Sequence, residues 1–153
     1  MNLKNKTVII IGGPTAVGKT SVAINIARHF NTEIISADSR QCYKELNIGV
    51  ARPSIEELEE VKHHFIASHS ILDSITAAGF EAFGLERSAE LFKAHNTVVM
   101  VGGTGLYIKA FCEGLDEIPG TQPDLRQNIT EQYKQNGLLW LQEQIAMLDP
   151  AFY

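Results

Sequence analysis

The residues with the clearest chemical potential are Gly13-Pro14-Thr15-Ala16-Val17-Gly18-Lys19-Thr20, an instance of the phosphate-binding pattern G-x-x-x-x-G-K-[ST]. Glycines in such a loop let the backbone curl until successive N–H groups converge on an anion. A helix beginning near Lys19 adds its unpaired N–H groups and the positive end of its dipole. Lys19 supplies a point charge for a terminal phosphate, and Thr20 offers a hydroxyl to a magnesium ion. Together, Gly13 through Thr20 call for a diphosphate or polyphosphate ligand. They do not say which compound carries that group, or what is done to it.

The elements around the loop argue against a chance match in a glycine-rich turn. Thr7 to Gly12 is a short β-branched apolar run, as expected of a buried parallel strand. Ser21 to Arg28 follows as a helix, with Val22, Ile26 and Phe30 as its expected apolar face. Glu33 to Ala37 reads as a second strand, and Asp38 stands at its carboxyl end. Ligand crevices in open α/β sheets lie outside the carboxyl ends of strands, which would put Asp38 beside the loop. Its type and position suit a helix N-cap equally well. Thr97 to Val101 is a third strand, running through Gly102-Gly103-Thr104-Gly105 into a helix over Leu106 to Phe111. Those glycines either let the backbone approach an anion or serve a plain turn that needs φ > 0; composition favours the turn.

The intervening chain reads as scaffold. Leu46 to Pro53 is a loop. Ser54 to Val61 is a short helix, with Ser54 and Glu57 spaced as a capping box. His63 and His64 are adjacent, so in a strand they point to opposite faces and cannot easily grip one ion. Tertiary or substrate contact suits them better. Thr76 to Lys93 is an amphipathic helix capped by Ser74 or Thr76, with Phe80, Phe83, Leu85, Leu91 and Phe92 as its apolar set. Gly114 to Pro123 is a connector. From Asp124 to Leu148 the pattern is helical, with Leu138, Leu139, Leu141, Ile145 and Leu148 apolar and Gly137 as a break.

At 153 residues and 44% hydrophobic, the chain has the size and composition of a globular fold with a real core. No apolar run reaches the roughly 18 residues of a membrane span, and the six residues before the first strand leave no room for a signal peptide. Cys42 and Cys112 are far apart, which argues against a disulfide framework or a zinc site and fits a reducing cytoplasm. The net charge of -5 does not advertise a nucleic-acid-binding face, although a local basic patch can sit within an acidic total.

Three motifs stand in order: 13–20, Ser36-Ala37-Asp38-Ser39-Arg40-Gln41-Cys42-Tyr43, and Val101-Gly102-Gly103-Thr104-Gly105-Leu106-Tyr107. Asn47 to Pro53 and the histidine pair lie between them, and Gly114 to Pro119 follows. This series resembles the tRNA dimethylallyltransferases, or isopentenyltransferases, from about Val8 to Arg126 and more loosely beyond. The resemblance implies an α/β fold with a P-loop NTPase-like parallel sheet flanked by helices over 1–118. The start of a helical, tRNA-binding insertion would occupy 119–153. It implies transfer of a dimethylallyl group from dimethylallyl diphosphate to N6 of the adenine at tRNA position 37, with Mg²⁺. Gly13 to Thr20 would hold the diphosphate, with Thr15 near the bridging oxygen, Lys19 on the leaving group and Thr20 on the metal. Asp38 would take the proton from the adenine amino group. Ser39, Arg40 and Gln41 match the segment that contacts the acceptor nucleotide, and Thr104 and Arg126 match tRNA-touching positions. A cytoplasmic monomer is expected.

Cys42 stands where valine is common in that family, Arg52 where lysine is common, and Gly79 where an acid is common. Residues 67–76 align poorly and receive no role. Chains of the family continue well past Tyr153, so a fragment with weak or absent activity is the expectation. Three other readings compete: a relative prenylating free AMP, ADP or ATP; a P-loop kinase using ATP; and a non-catalytic phosphate-binding module. The helical material after Pro123 favours tRNA over a mononucleotide, and of a kinase's parts only the loop is identifiable.

Overall fold

Three apolar runs and the histidine pair become the strands of one parallel sheet. In the computed structural model, which describes residues 5–116 and 120–153, these are β1 (Thr7–Gly12), β2 (Ile34–Ser36), β3 (His63–His64) and β4 (Thr97–Gly102). The spatial order is β1-β4-β2-β3, and every pair is parallel. Parallel neighbours need crossovers, which α1 (Lys19–His29), α2 (Ile55–Glu60) and α3 (Ala77–Leu91) supply, with α4 (Gly105–Glu113) following β4. This is the expected α/β architecture. The chain divides into two compact units, Met1–Leu115 and Asp116–Tyr153. Glu117 to Pro119, and with them the expected boundary at 118, lie outside the described residues.

Side chains alternate along each strand and feed two cores. Ile34, Val99 and Val101 pack with Ala23, Ile24 and Ala27 of α1. Ile35, Val98 and Met100 point the other way and pack with Phe80, Leu91 and Tyr107 from α3 and α4. Phe80 is fully buried, stacked on Tyr107 at 4.5 Å between ring centroids and met edge-on by Phe65 at 5.1 Å. The expected aromatic face of α3 thus holds at Phe80 and Leu91, whereas Leu85 is half exposed. Thr76 caps the helix, its hydroxyl accepting from Gly79 N at 3.0 Å. The Ser54–Glu57 capping box is formed in both directions.

The expected face of α1 holds only at Ile26, which is partly buried against the core. Val22 and Phe30 are about half exposed, and the buried residues are Ala23, Ile24 and Ala27. Small side chains let this helix lie close on the sheet, so its inner face is alanine-rich and invisible to a search for large apolar residues. The turn reading of the glycines after β4 does not hold. Gly102 to Gly105 are not among the positive-φ residues. Gly102 is required by crowding: a Cβ there would sit 2.1 Å from the Ala37 carbonyl oxygen.

The second unit is helical. α5 (Pro123–Leu148) breaks at Gly137, whose φ of 78° and ψ of -173° are non-helical, as its sequence suggested. Leu138, Leu139 and Leu148 are largely exposed, contrary to the expected apolar set. Leu141 and Ile145 are half-buried, and with Leu125, Ile129 and Trp140 they line a cavity of about 550 Å³ within this unit. Among the described residues, no helix is long and apolar enough to cross a membrane.

Edge strand β3 and Glu33, just before β2, hold three acid-sensitive groups. His64 Nε2 meets Glu33 Oε2 at 2.5 Å, and the His63 ring bonds the Val61 carbonyl at 2.7 Å. Burial pulls both histidines below their ordinary value of 6.5, and for His64 it outweighs the opposing pull of Glu33. Burial raises Glu33, but the His64 hydrogen bond and the Lys62 charge together carry it below 4.5.

Two outcomes follow. Gly102→Ala must push β4 from the end of β2, at a cost of about 1–3 kcal/mol, read as a lower urea midpoint. Stability should also fall on acidification. The unfolded histidines take protons first, near pH 6.5, while the folded ones resist until the pH reaches their lower values. Glu33 adds loss in the same direction below pH 4.5. Urea midpoints from pH 8 to 4 should therefore decline, and replacing His63 and His64 together by Gln should flatten the upper part of that decline.

Candidate functional site

The phosphate-binding loop leaves β1 at Gly13 (φ 153°) and turns through Ala16 (φ 65°) and Gly18 (φ 86°) into α1. Ala16 in the left-handed region costs about 1–2 kcal/mol, a strain the loop accepts to complete its curl. Gly18 is the N-cap of α1, and no side chain caps that end; the first turn carries no acid. The helix therefore presents bare N–H groups and an uncompensated positive dipole to whatever enters the loop. The Lys19 ammonium lies back across the loop and donates to the Pro14 carbonyl at 2.5 Å.

Asp38 leaves the end of β2 and is held by its own turn. Its Oδ1 accepts from Arg40 N at 2.9 Å and Gln41 N at 3.2 Å. The helix N-cap reading of Asp38 does not hold, since a turn and no helix follows it, whereas the crevice reading is supported, because Asp38 lines the cavity beside the loop. Among the described residues, Oδ2 accepts from no donor. The third motif locks this turn in place. Thr104 N donates to the Ala37 carbonyl at 3.2 Å, and Thr104 Oγ1 accepts from Ser39 N at 3.0 Å. Thr104 is the N-cap of α4 yet makes no side-chain cap there, since its hydroxyl is spent on Ser39.

A cavity of about 230 Å³ brings Thr15, Ala16, Gly18, Lys19 and Thr20 together with Asp38 and Gln41. A second, polar hollow of about 300 Å³ adjoins it, where Gly13, Pro14, Thr15 and Asp38 meet Ser39, Arg40 and Thr104. Val17 lines neither and is 59% exposed. Arg126 belongs to the second unit and is exposed there. The Gln41 amide is engaged by the protein: Nε2 donates to the Ala51 carbonyl at 2.7 Å, and Oε1 accepts from Ser36 Oγ at 3.3 Å. Cys42 is buried, which pushes its thiol up.

Sequence reasoning missed several lining residues. Arg52 ties the 44–53 loop together through Asn47 Oδ1 at 3.0 Å and the Tyr43 carbonyl. Glu57 was read only as half of a capping box, and His63 only in general terms as a tertiary or substrate contact; both line the 230 Å³ cavity. A capping glutamate has no separate sequence signal for a second role. The His63 signal was the alternation of faces along β3.

Among the described residues, no three His, Cys, Asp or Glu side chains gather so as to enclose a metal. The donor set suits magnesium in another way. Thr20 lines the same cavity as Asp38 and Glu57, and magnesium commonly keeps several waters while sharing substrate phosphates with one or two protein groups.

The IPP transferase family model matches residues 41–153. A tRNA dimethylallyltransferase of Christiangramia forsetii is 50% identical over 145 residues, covering 95% of this chain and 48% of the relative. One from Flavobacterium johnsoniae is 46% identical over 148 residues, covering 97% and 48%. The chain thus spans about half the length of the curated relatives it matches. The crystal structure of the full-length tRNA isopentenylpyrophosphate transferase from Bacillus halodurans superposes with a TM-score of 0.70 at 32% identity, covering 97% of this chain and 49% of that one. A eukaryotic dimethylallyltransferase captured acting on tRNA gives a TM-score of 0.76 at 26% identity, covering 96% and 37%. With the loop, the Asp38 turn and the Thr104 lock in one crevice of a P-loop NTPase-like fold, and with this match over most of its length, the chain belongs to the IPP transferase family.

Proposed function

We propose that the protein transfers a dimethylallyl group from dimethylallyl diphosphate to N6 of the adenine at tRNA position 37, releasing diphosphate. One observation carries this reading: Asp38 borders both the cavity of the phosphate-binding loop and the adjoining polar hollow. A diphosphate on the loop places its leaving-group end against the bare start of α1, where growing charge meets fixed donors. Thr15, Lys19 and the loop N–H groups supply them. Thr20 would hold Mg²⁺ with the donor's phosphate oxygens, and the ion would neutralise charge on the departing diphosphate.

The acceptor enters from the hollow. An adenine amino group is a weak nucleophile, and the Asp38 carboxylate, steadied through Oδ1, takes its proton as the C–N bond forms. The adenine has to leave its stack to arrive there. Ser39, Arg40 and Thr104 border the acceptor's side, Gln41 of the same turn would contact the acceptor nucleotide, and Arg126, in the helical insertion over 119–153, would contact the tRNA. A monomer acting on tRNA in the cytoplasm completes the proposal. The names of the relatives favour tRNA over free adenylates.

The test uses full-length protein, labelled dimethylallyl diphosphate, and either an anticodon stem-loop or AMP. Transfer to the stem-loop and not to AMP is expected. Asp38→Asn keeps an oxygen to accept from Arg40 N and Gln41 N but removes the base. It should lower kcat about 10²–10⁴-fold and leave donor binding intact. Near-full turnover by this variant would remove Asp38 as the base.

A further inference from the structure

His63 leaves a hydrogen-bonding debt that the fold does not settle. Its Nδ1 lies 2.7 Å from the Val61 carbonyl, which can only accept, so Nδ1 carries the proton and Nε2 presents a lone pair. Nε2 is buried and has no partner among the described residues. Buried polar groups are nearly always paired, so such an atom asks for a partner that arrives with function. His63 pairs in register with Ile34, whose side chain packs beneath α1. The imidazole therefore lies on the α1 side of the sheet, and it lines the same cavity as Lys19 and Thr20.

The other polar side chains of that cavity are mostly spent. Lys19 and Arg52 only donate. Asp38 Oδ1 is held by its turn, and Oδ2 is reserved for the adenine proton. Ser36 and Gln41 bond each other, and Gln41 Nε2 bonds Ala51. Glu57 gives Oε2 to Ser54 N at 2.8 Å and keeps Oε1 open among the described residues. Apart from the hydroxyls of Thr15 and Thr20, assigned above to the donor and the metal, two acceptors remain, Glu57 Oε1 and His63 Nε2. The species that needs acceptors is a hydrated dication. Magnesium sheds water reluctantly, and its bound waters are strong hydrogen-bond donors.

Resting on the transferase reading above, we propose that Glu57 and His63 receive the water shell of the magnesium ion that accompanies the prenyl diphosphate. They are positioning residues for the ion across the cavity from Thr20, and neither touches the reacting atoms. Partners of this kind typically change metal affinity 10–100-fold.

Calorimetry of dimethylallyl diphosphate binding to full-length protein, at a series of Mg²⁺ concentrations and without tRNA, tests this apart from turnover. His63→Phe should raise the Mg²⁺ concentration for half-maximal donor binding about tenfold, with donor affinity at saturating Mg²⁺ and Tm close to wild type. His63→Gln, which restores an acceptor oxygen, should recover most of the loss. Glu57→Gln, which can still accept from Ser54 N, should shift the Mg²⁺ dependence in the same direction as His63→Phe. Unchanged Mg²⁺ dependence in folded His63→Phe overturns the role. Should that variant not fold, unchanged dependence in Glu57→Gln overturns it alone. Donor binding by wild type that needs no Mg²⁺ sinks this role but leaves Asp38 and the transfer untouched, whereas no donor binding at all sinks the transferase reading itself.

Discussion

The site depends on how closely the ends of β2 and β4 are pressed together. At Gly102 the backbone of β4 runs against Ala37 with no space for a side chain. Ala37 N donates to the Val101 carbonyl at 2.7 Å, and one step later Thr104 N donates back to the Ala37 carbonyl. The two strands therefore stay bonded past their regular ends. Asp38 is the first residue beyond that clamp. Its reach toward the loop is set by rigid backbone rather than by a flexible side chain, which is the condition for a proton acceptor to work at fixed distance. β1, bonded to the other side of β4 from Thr7 through Gly12, delivers the phosphate-binding loop to the same end of the sheet.

Helix capping separates scaffold from site. α2 and α3 are closed by Ser54 and Thr76, whose hydroxyls take up N–H groups of the first turn. α1 and α4 begin with Gly18 and Thr104 and have no side-chain cap. Omitting a cap typically costs about 1 kcal/mol, so two such omissions at one end of a small sheet are not neutral. They leave N–H groups and dipole ends facing the region where an anion is expected. This also resolves the tension with the net charge of -5. A local field from two helix ends and Lys19 favours an anion such as the proposed diphosphate, whatever the sum over the surface.

Much of this was legible because it is written in short-range chemistry. The loop, the Ser54–Glu57 box and the break at Gly137 each follow from residue types a few positions apart. The existence of β1, β2 and β4 followed from short apolar runs, whereas their order in the sheet and the edge strand at His63 and His64 did not. What was not legible depends on neighbours distant in sequence. Ala23 and Ala27 form the inner face of α1 because the sheet lies close, and no hydropathy count favours alanine over the exposed Val22. Gly102 looked like a turn glycine, but its reason is Ala37, 65 positions away from Gly102 in the chain by simple subtraction. Glu57 and His63 carry sufficient local explanations, as a cap and as an edge strand, and only the folded cavity shows that they meet.

The two meanings of Asp38 illustrate why a structural and a chemical reading need not compete. A carboxylate has two oxygens, and here they are unequal. Oδ1 is committed to the backbone of its own turn, so the side chain cannot rotate away without breaking two hydrogen bonds. Oδ2 is thereby aimed by the fold, and the entropy of orienting it is settled before any substrate arrives. A serine or threonine at this position could cap the turn, but it has a single oxygen and could not do both. An aspartate is the shortest side chain that caps with one atom and leaves another to accept a proton, and under the proposed mechanism that is a physical reason for this residue type at the end of β2.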